Sequence, residues 1–345
     1  MDNRVNELLS KKRIYAVLII CLFVIGFIYW NEYNSNTDQL KSITWNGLTF
    51  FYLFLGLVFM AMRDFAYMVR LRVLTDNKLT WKQCFNVIMI WEFASAITPG
   101  VVGGSAVAIF ILEKERIPIA KSTTLVIITL IFDNLFYILF IPFIFLNISM
   151  TTLFTRELNW FTTNGMTLFW IGYGILVFIN LILVASVFIQ PKIISSLVKL
   201  IYKLPLLKKR KAKGEQFAED IKIASQNLKQ KKAKFWVKIM ATTCWSWLAR
   251  FLVVNVVLAA FISLNLGDHL VILARQLVMW LGMLVSPTPG GSGVAELAFS
   301  GLFHDYISSI GVSAIALALI WRTLSYYPYL LIGAILLPKW LRKKK

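Results

Sequence analysis

The sequence predicts an all-α polytopic membrane protein with about six full spans and two Pro/Gly-broken re-entrant hairpins. Three observations lead there. Of 345 residues, 58% are hydrophobic and 15% charged, with a mean hydropathy of +0.70, whereas soluble domains sit nearer about 45–50% apolar and about 25% charged. The apolar residues fall in blocks of roughly 17 to 28, the length that crosses a hydrocarbon core about 30 Å thick. The basic residues behind a formal charge of +19 cluster between those blocks, at Lys11–Arg13, Arg63–Lys82, Lys192–Lys238 and Arg342–Lys345. Basic loops mark the cytoplasmic side of a membrane protein, so the charge argues for anionic lipid headgroups at that face and against nucleic acid.

Six blocks read as complete spans, at roughly 14–30, 44–62, 122–146, 166–189, 237–262 and 311–337. The first follows Lys11-Lys12-Arg13 as a signal peptide would, but no small-residue cleavage site follows it, and an uncleaved span is expected. Blocks 84–112 and 271–303 are broken by Thr98-Pro99-Gly100-Val101-Val102-Gly103-Gly104-Ser105 and by Ser286-Pro287-Thr288-Pro289-Gly290-Gly291-Ser292-Gly293. A helix does not run through such a stretch without losing backbone hydrogen bonds. Broken backbone at membrane depth persists only when buried in protein or lining a wet cavity.

Charge decides whether these blocks cross once or turn back. Segment 190–238 holds fourteen Lys or Arg against Glu215, Glu219 and Asp220, a net +11. A single crossing by 84–112 would put that segment outside; a hairpin puts it inside, with the N-terminus and the basic C-terminus, as the positive-inside bias prefers. The resulting order repeats once in opposite orientation: repeat A at about 14–146 and repeat B at about 166–338 form one transmembrane domain, with 190–238 as a cytoplasmic insert. Transporters with such inverted repeats place their substrate where broken helices meet. Within the insert, Phe217, Ile221, Ile223, Ala224 and Leu228 have helical spacing, which suits a helix on the membrane surface or a solvated connector.

No catalytic set stands out, and the chain is expected not to be an enzyme. The glycine-rich stretches lack the Lys-Ser/Thr ending of a nucleotide-binding loop. His269 and His304 have no Cys or His nearby for zinc, and Cys21, Cys84 and Cys244 form no CxxC pair; no metal or cofactor is expected. Ionisable residues inside apolar blocks carry more information, since each costs about 2.5–3.5 kcal/mol to insert. They are Glu92, Asp133, Arg250, Arg275, Glu296 and Arg322. Glu92 suits a cavity wall or an arginine partner. Asp133, beside Asn134, suits either a site or interhelical hydrogen bonding. Glu296 suits a cap on the returning helix, whose N-terminus beside paired glycines is also an anion site. Arg250 and Arg322 suit salt bridges or phosphate binding, Arg322 the more strongly for phosphate, and Arg275 is expected to snorkel to the outer interface.

The run Ser286-Pro287-Thr288-Pro289-Gly290-Gly291-Ser292-Gly293-Val294-Ala295-Glu296, followed by Phe299, Leu302-Phe303, Trp321-Arg322 and Tyr326-Tyr327, resembles the flippase-like family of the lysylphosphatidylglycerol synthase transmembrane region. Thr98-Pro99 and Gly103-Gly104, with Leu112-Glu113-Lys114 and Ile117, resemble its other glycine motif, although Ser105 stands where members often carry Glu or Gln. Members that aminoacylate phosphatidylglycerol have a large soluble C-terminal domain, whereas this sequence ends at Lys345. The resemblance therefore implies the translocating half without the transferase, and it carries no substrate over.

The candidate substrate-binding set is Glu92, Pro99, Gly103, Gly104, Pro289, Gly290, Gly291, Glu296 and Arg322. The expected function is translocation of a phospholipid or polyprenyl-phosphate-linked lipid across a bacterial-type inner membrane, with both termini cytoplasmic. Transport of a small soluble solute is the alternative, and a membrane-embedded lipid transferase stands behind both.

Overall fold

A computed structural model describes residues 45–98, 100–153, 159–190, 211–283, 288–308 and 312–343, together with Ile19, Phe23, Gly26, Phe27, Trp30, Asn34 and Ser196. The described residues are helical, without a β-strand, and five helices are long and apolar enough to cross a membrane: Gly47–Leu74, Ile119–Asn147, Phe169–Ile189, Ala233–Ala259 and Ala314–Arg342. They correspond to five of the six expected spans. The span expected at 14–30 lies outside the described residues but for a few positions. Large apolar side chains such as Phe50, Phe54, Ile175, Phe178, Leu181, Leu331 and Ile335 are exposed on these helices, as helices facing lipid require.

Helix α1 (Gly47–Leu74) starts where the Asn46 side chain accepts the Thr49 N–H at 2.9 Å. It runs a full three turns past the predicted end at 62. The prediction took Arg63 and Arg70 for loop residues, but both are buried inside the helix, at 0% and 5% exposure. They stay there because carboxylates on neighbouring helices meet them, a compensation that hydropathy along one segment does not register. Past Leu74, Asp76 and Asn77 adopt positive φ (54° and 57°), which short polar side chains tolerate.

Helix α2 (Trp81–Ile97) begins in a capping box between Thr80 and Gln83 and ends at Thr98, extended at φ −110°, ψ 141°, as a residue before proline prefers. Helix α3 (Gly100–Lys114) folds straight back on it. A Cβ at Gly104 would overlap the Ser95 side chain, and at the open end Gln83 Nε2 donates to Glu115 Oε2 at 2.8 Å. Residues 81–115 are therefore a hairpin. Helix α4 (Ile119–Asn147) follows, with Pro142 inside it, then the single turn α5 (Met150–Leu153). Helix α6 (Asn159–Val184) ends in a π-helical turn, Ala185–Ile189.

In the basic insert, α7 (Lys211–Lys229) packs against α4. Ala218, Ile221 and Leu228 are buried there and Ile223 is exposed, so the amphipathic face expected on a lipid surface is covered in part by protein. Helix α8 (Ala233–Ala259) lies antiparallel to α1: Thr49 Oγ1 donates to the Ala260 carbonyl at 3.4 Å, and Arg70 Nη1 to Thr243 Oγ1 at 3.0 Å.

The second hairpin comprises α9 (Leu266–Met283), α10 (Val294–Leu302) and the turn α11 (His304–Ile307). At its open end the Tyr306 hydroxyl donates to Asp268 Oδ1 at 3.2 Å. Arg275 holds the two arms together rather than snorkelling outward. It is 2% exposed and donates to both Asp305 oxygens (2.6 and 2.8 Å) and to the carbonyls of Leu302 (2.8 Å) and Thr152 (2.7 Å). Helix α12 (Ala314–Ser325), capped by Ser313, and α13 (Tyr327–Lys343) finish the chain, separated by a break at Tyr326.

The two hairpins open at opposite ends of α8. Lys231, just before α8, and Lys121, at the start of α4, both reach Asp76 (2.5 and 3.1 Å) beside the first hairpin's open end. At the other end of α8, Asn255 Nδ2 donates to the His269 carbonyl at 2.9 Å. With 27 residues, α8 is about 40 Å long.

Candidate functional site

The hairpin tips meet at the α12–α13 break. The Tyr326 hydroxyl donates to the carbonyl of Ala96, near the tip of the first hairpin, at 2.9 Å. Its ring lies so close to Gly290, at the tip of the second, that a Cβ there would overlap it. Gly290, Gly291 and Gly293 have φ of 58°, 68° and 84°, a region costly for residues with a Cβ. Arg322 clamps this turn, with Nη2 donating to the Gly290 carbonyl at 3.1 Å and Nε to Glu296 Oε1 at 3.0 Å. The other Glu296 oxygen caps the Gly293 N–H at 2.7 Å. Glu296 thus performs the expected cap and holds Arg322 as well.

Around this junction lies a cavity of about 360 Å³. Ser95, Ala96, Thr98 and Ser105 line it from the first hairpin, and Thr288, Gly290 and Gly291 from the second. Tryptophans 91, 247, 280 and 321 supply much of its apolar wall, and Arg70, Glu92, Asp133, Arg250 and Arg322 are the charged groups on it. Asp64 and the fully buried Arg63 stand behind Glu92.

Four arginines and four carboxylates make up the buried charge at this junction, and they are unevenly matched. Arg70 Nη1 meets Asp133 at 2.6 Å, where the Trp247 indole also donates at 3.0 Å. Arg322 has Glu296. Arg63 lies between Asp64 (3.0 Å) and Glu92 (2.5 Å). Among the described residues, the carboxylate nearest Arg250 is this same Glu92, at 3.7 Å. Arg250 sits over the Trp247 ring, 5.4 Å from its centroid, with its side chain about one-third exposed. Among the described residues it is the cavity arginine without a carboxylate of its own.

The structure thus brings together Glu92, Gly290, Gly291 and Arg322 on the cavity wall, with Glu296 behind them. Gly104 packs the first hairpin closed, Gly103 lies within α3, and Pro289 is in the second turn, where its carbonyl accepts the Ser292 N–H. Pro99 lies outside the described residues. One expectation is displaced. The N–H groups expected to hold phosphate at the returning helix are already engaged, Gly291 with Thr288, Ser292 with Pro289 and Gly293 with Glu296. Arg322 spends two donors on protein, Nη2 on the Gly290 carbonyl and Nε on Glu296. The sequence reading missed Arg63 and Arg70, although their seven-residue spacing, two helical turns on one face, is a signal for paired buried cations. Among the described residues, no group of three His, Cys, Asp or Glu is placed to hold a metal.

The family described as the lysylphosphatidylglycerol synthase TM region matches residues 13–333. The chain belongs to this family. It is also similar to a UPF0104 membrane protein of Archaeoglobus fulgidus, 24% identical over 342 residues that cover 92% of this chain and 94% of the relative. No solved structure matches. Membership in the lysylphosphatidylglycerol synthase TM-region family, together with the five long apolar helices, makes this a multi-pass membrane protein.

Proposed function

We propose that the protein translocates a lipid, or a lipid-linked phosphate anion, across a bacterial-type inner membrane, as a carrier and not an enzyme. One observation carries the reading: Arg250 lines a cavity enclosed by two hairpin tips, and among the described residues its nearest carboxylate, Glu92 at 3.7 Å, is shared with Arg63. A guanidinium held over an indole and short of a carboxylate is suited to a phosphate oxygen pair. A volume of about 360 Å³ lies at the lower end of small-molecule sites. It suits a headgroup, with the acyl or prenyl tails left in the bilayer. Hairpins opening at opposite ends of α8 support re-entrant elements in an inverted repeat, with repeat A at about 14–146 and repeat B at about 166–338. The basic insert and both termini then face the cytoplasm, where the insert meets anionic lipid.

The test is reconstitution into vesicles carrying headgroup-labelled phosphatidylglycerol, with leaflet exchange followed by quenching from outside. Exchange above that of protein-free vesicles, reduced at least tenfold by Arg250→Ala, is expected. Protein-free rates would overturn the lipid reading. Uptake of a soluble phosphodiester in the same vesicles would favour a small solute instead.

A further inference from the structure

We infer that anion binding in this cavity is coupled to uptake of one proton by Asp64, the outer carboxyl of the buried Asp64–Arg63–Glu92 cluster, making the protein a proton–phosphodiester symporter. The inference rests on the anion site proposed above.

Arg63, wholly buried, lies between Asp64 and Glu92, and Arg250 reaches Glu92 from the cavity side. Two guanidiniums and two carboxylates give this cluster no net charge. A phosphodiester bound to Arg250 adds one negative charge inside the bundle. Buried charge left uncompensated is costly, and a proton on one carboxyl restores the balance. By linkage, whatever favours the proton then favours the anion by the same factor.

Asp64 is the better seat for that proton. Glu92 stands between two guanidiniums, whereas among the described residues Asp64 forms an ion pair with Arg63 alone. Its outer oxygen, Oδ2, accepts the Tyr329 hydroxyl at 2.8 Å. A tyrosine hydroxyl donates to a carboxylate and, turned about its C–O bond, accepts from a carboxylic acid, so this hydrogen bond survives in both protonation states. Tyr329 also lines the cavity, which brings the proton site to the edge of the space the anion enters. Among the described residues, the ionisable groups facing Asp64 are Arg63 on α1, Glu92 on α2, Arg250 on α8 and Tyr329 on α13, with Tyr67 against the far side of Arg63. On α12, Arg322 is engaged with Glu296, and further along α1 Arg70 is engaged with Asp133. Neither of those pairs needs a proton to stay balanced.

The experiment uses the full-length purified protein in detergent and glycerophosphoglycerol, a soluble diester whose single charge does not change between about pH 5 and about pH 8. Binding is read from tryptophan fluorescence, since Trp247 lies under Arg250. Proton uptake is read with an indicator dye in weak buffer. The wild type is expected to take up as much as one proton per diester bound, with affinity falling up to about tenfold per pH unit as pH rises. Asp64→Asn keeps the side-chain volume and leaves the cluster positive. It is expected to bind at least as tightly as the wild type, without pH dependence and without proton uptake. Tyr329→Phe is expected to bind with a shifted pH dependence.

Binding with no proton uptake by the wild type at any pH in that range overturns the coupling and leaves the anion site standing. So does proton uptake that persists in Asp64→Asn. No diester binding in the wild type, with Arg250→Ala indistinguishable from it, removes the anion site and the coupling together. In vesicles, an imposed pH gradient is expected to bias labelled phosphatidylglycerol toward one leaflet. A gradient that instead drives only the soluble diester assigns the coupling to a solute, not a lipid.

Discussion

The Tyr326 hydroxyl and the Ala96 carbonyl, 230 positions apart in sequence, are joined by a buried hydrogen bond of 2.9 Å that ties the two hairpin tips together. The bond spans the junction where the cavity forms, so it couples the stability of the fold to access to the site. Tyr326→Phe leaves the Ala96 carbonyl without this donor, a loss of about 1–2 kcal/mol. The expected result is a lower thermal midpoint in detergent together with faster leaflet exchange. Slower exchange at unchanged stability would show that the bond is no restraint on opening.

Gly290 and Gly291 separate on the same criterion. Both have positive φ, but a Cβ at Gly290 meets the Tyr326 ring, whereas one at Gly291 meets Met283 Sδ at 3.6 Å and Arg322 Nη2 at 3.8 Å, ordinary contacts. Gly291→Ala is expected to lose about 1–2 kcal/mol from backbone conformation alone, and Gly290→Ala clearly more. Adding Tyr326→Ala should recover part of the Gly290→Ala loss and none of the Gly291→Ala loss. Thermal unfolding of the four variants measures this.

Arg322 and Arg250 are expected to divide stability from binding. Arg322 and Glu296 are both nearly inaccessible, and removing one member of a buried pair costs about 3–5 kcal/mol. Arg322→Ala should therefore unfold well below the wild type, although the sequence favoured phosphate binding over a salt bridge for this residue. Arg250→Ala should unfold close to the wild type and lose anion-dependent fluorescence change. If Arg322→Ala is as stable as the wild type, the clamp on the Gly290 turn contributes little.

Much of the architecture was legible because long apolar blocks and Pro-Gly interruptions are local signals. Both hairpins follow from residues a few positions apart, Thr98-Pro99 and Thr288-Pro289-Gly290. The site was legible where it coincided with those interruptions or with an ionisable residue isolated inside an apolar block, such as Glu92, Arg250 or Arg322. Arg63 and Arg70 were read as the end of a span because their compensation, Glu92 and Asp133, lies on other helices. Arg275 was misread for the same reason, since its partners Asp305, Leu302 and Thr152 gather only after the second hairpin closes. Pairing across helices is what a single segment does not record.

Acid stability offers a test at the first hairpin's open end. Burial alone would raise the Asp76 carboxyl, but hydrogen bonds and charge from Lys231 and Lys121 outweigh it and hold the group below the usual carboxylate range. A folded value below the unfolded one, about 3.9, means the contribution is complete above the unfolded value and is lost as pH falls through the folded one. Asp76→Asn should therefore be slightly less stable than the wild type near neutrality, and the difference should shrink as pH drops below about 4. A constant difference across that window would mean the two lysines do not act through charge.

The opposed openings of the hairpins give the topology a test of its own. Lys222 lies on α7, the insert helix, and Leu266, 80% exposed, begins α9 at the other end of α8. If the bundle sits in the bilayer with α8 crossing it, single cysteines at these positions, in a background lacking Cys21, Cys84 and Cys244, must lie on opposite sides. The basic insert fixes which side is which, because its excess of Lys and Arg favours the cytoplasm. A membrane-impermeant maleimide added to intact cells should therefore label Leu266→Cys and spare Lys222→Cys until the cells are permeabilised. Labelling of both from outside would mean that the hairpins do not open to opposite faces. Reversed labelling would keep the opposed hairpins and invert the orientation, placing the basic insert outside against the charge bias.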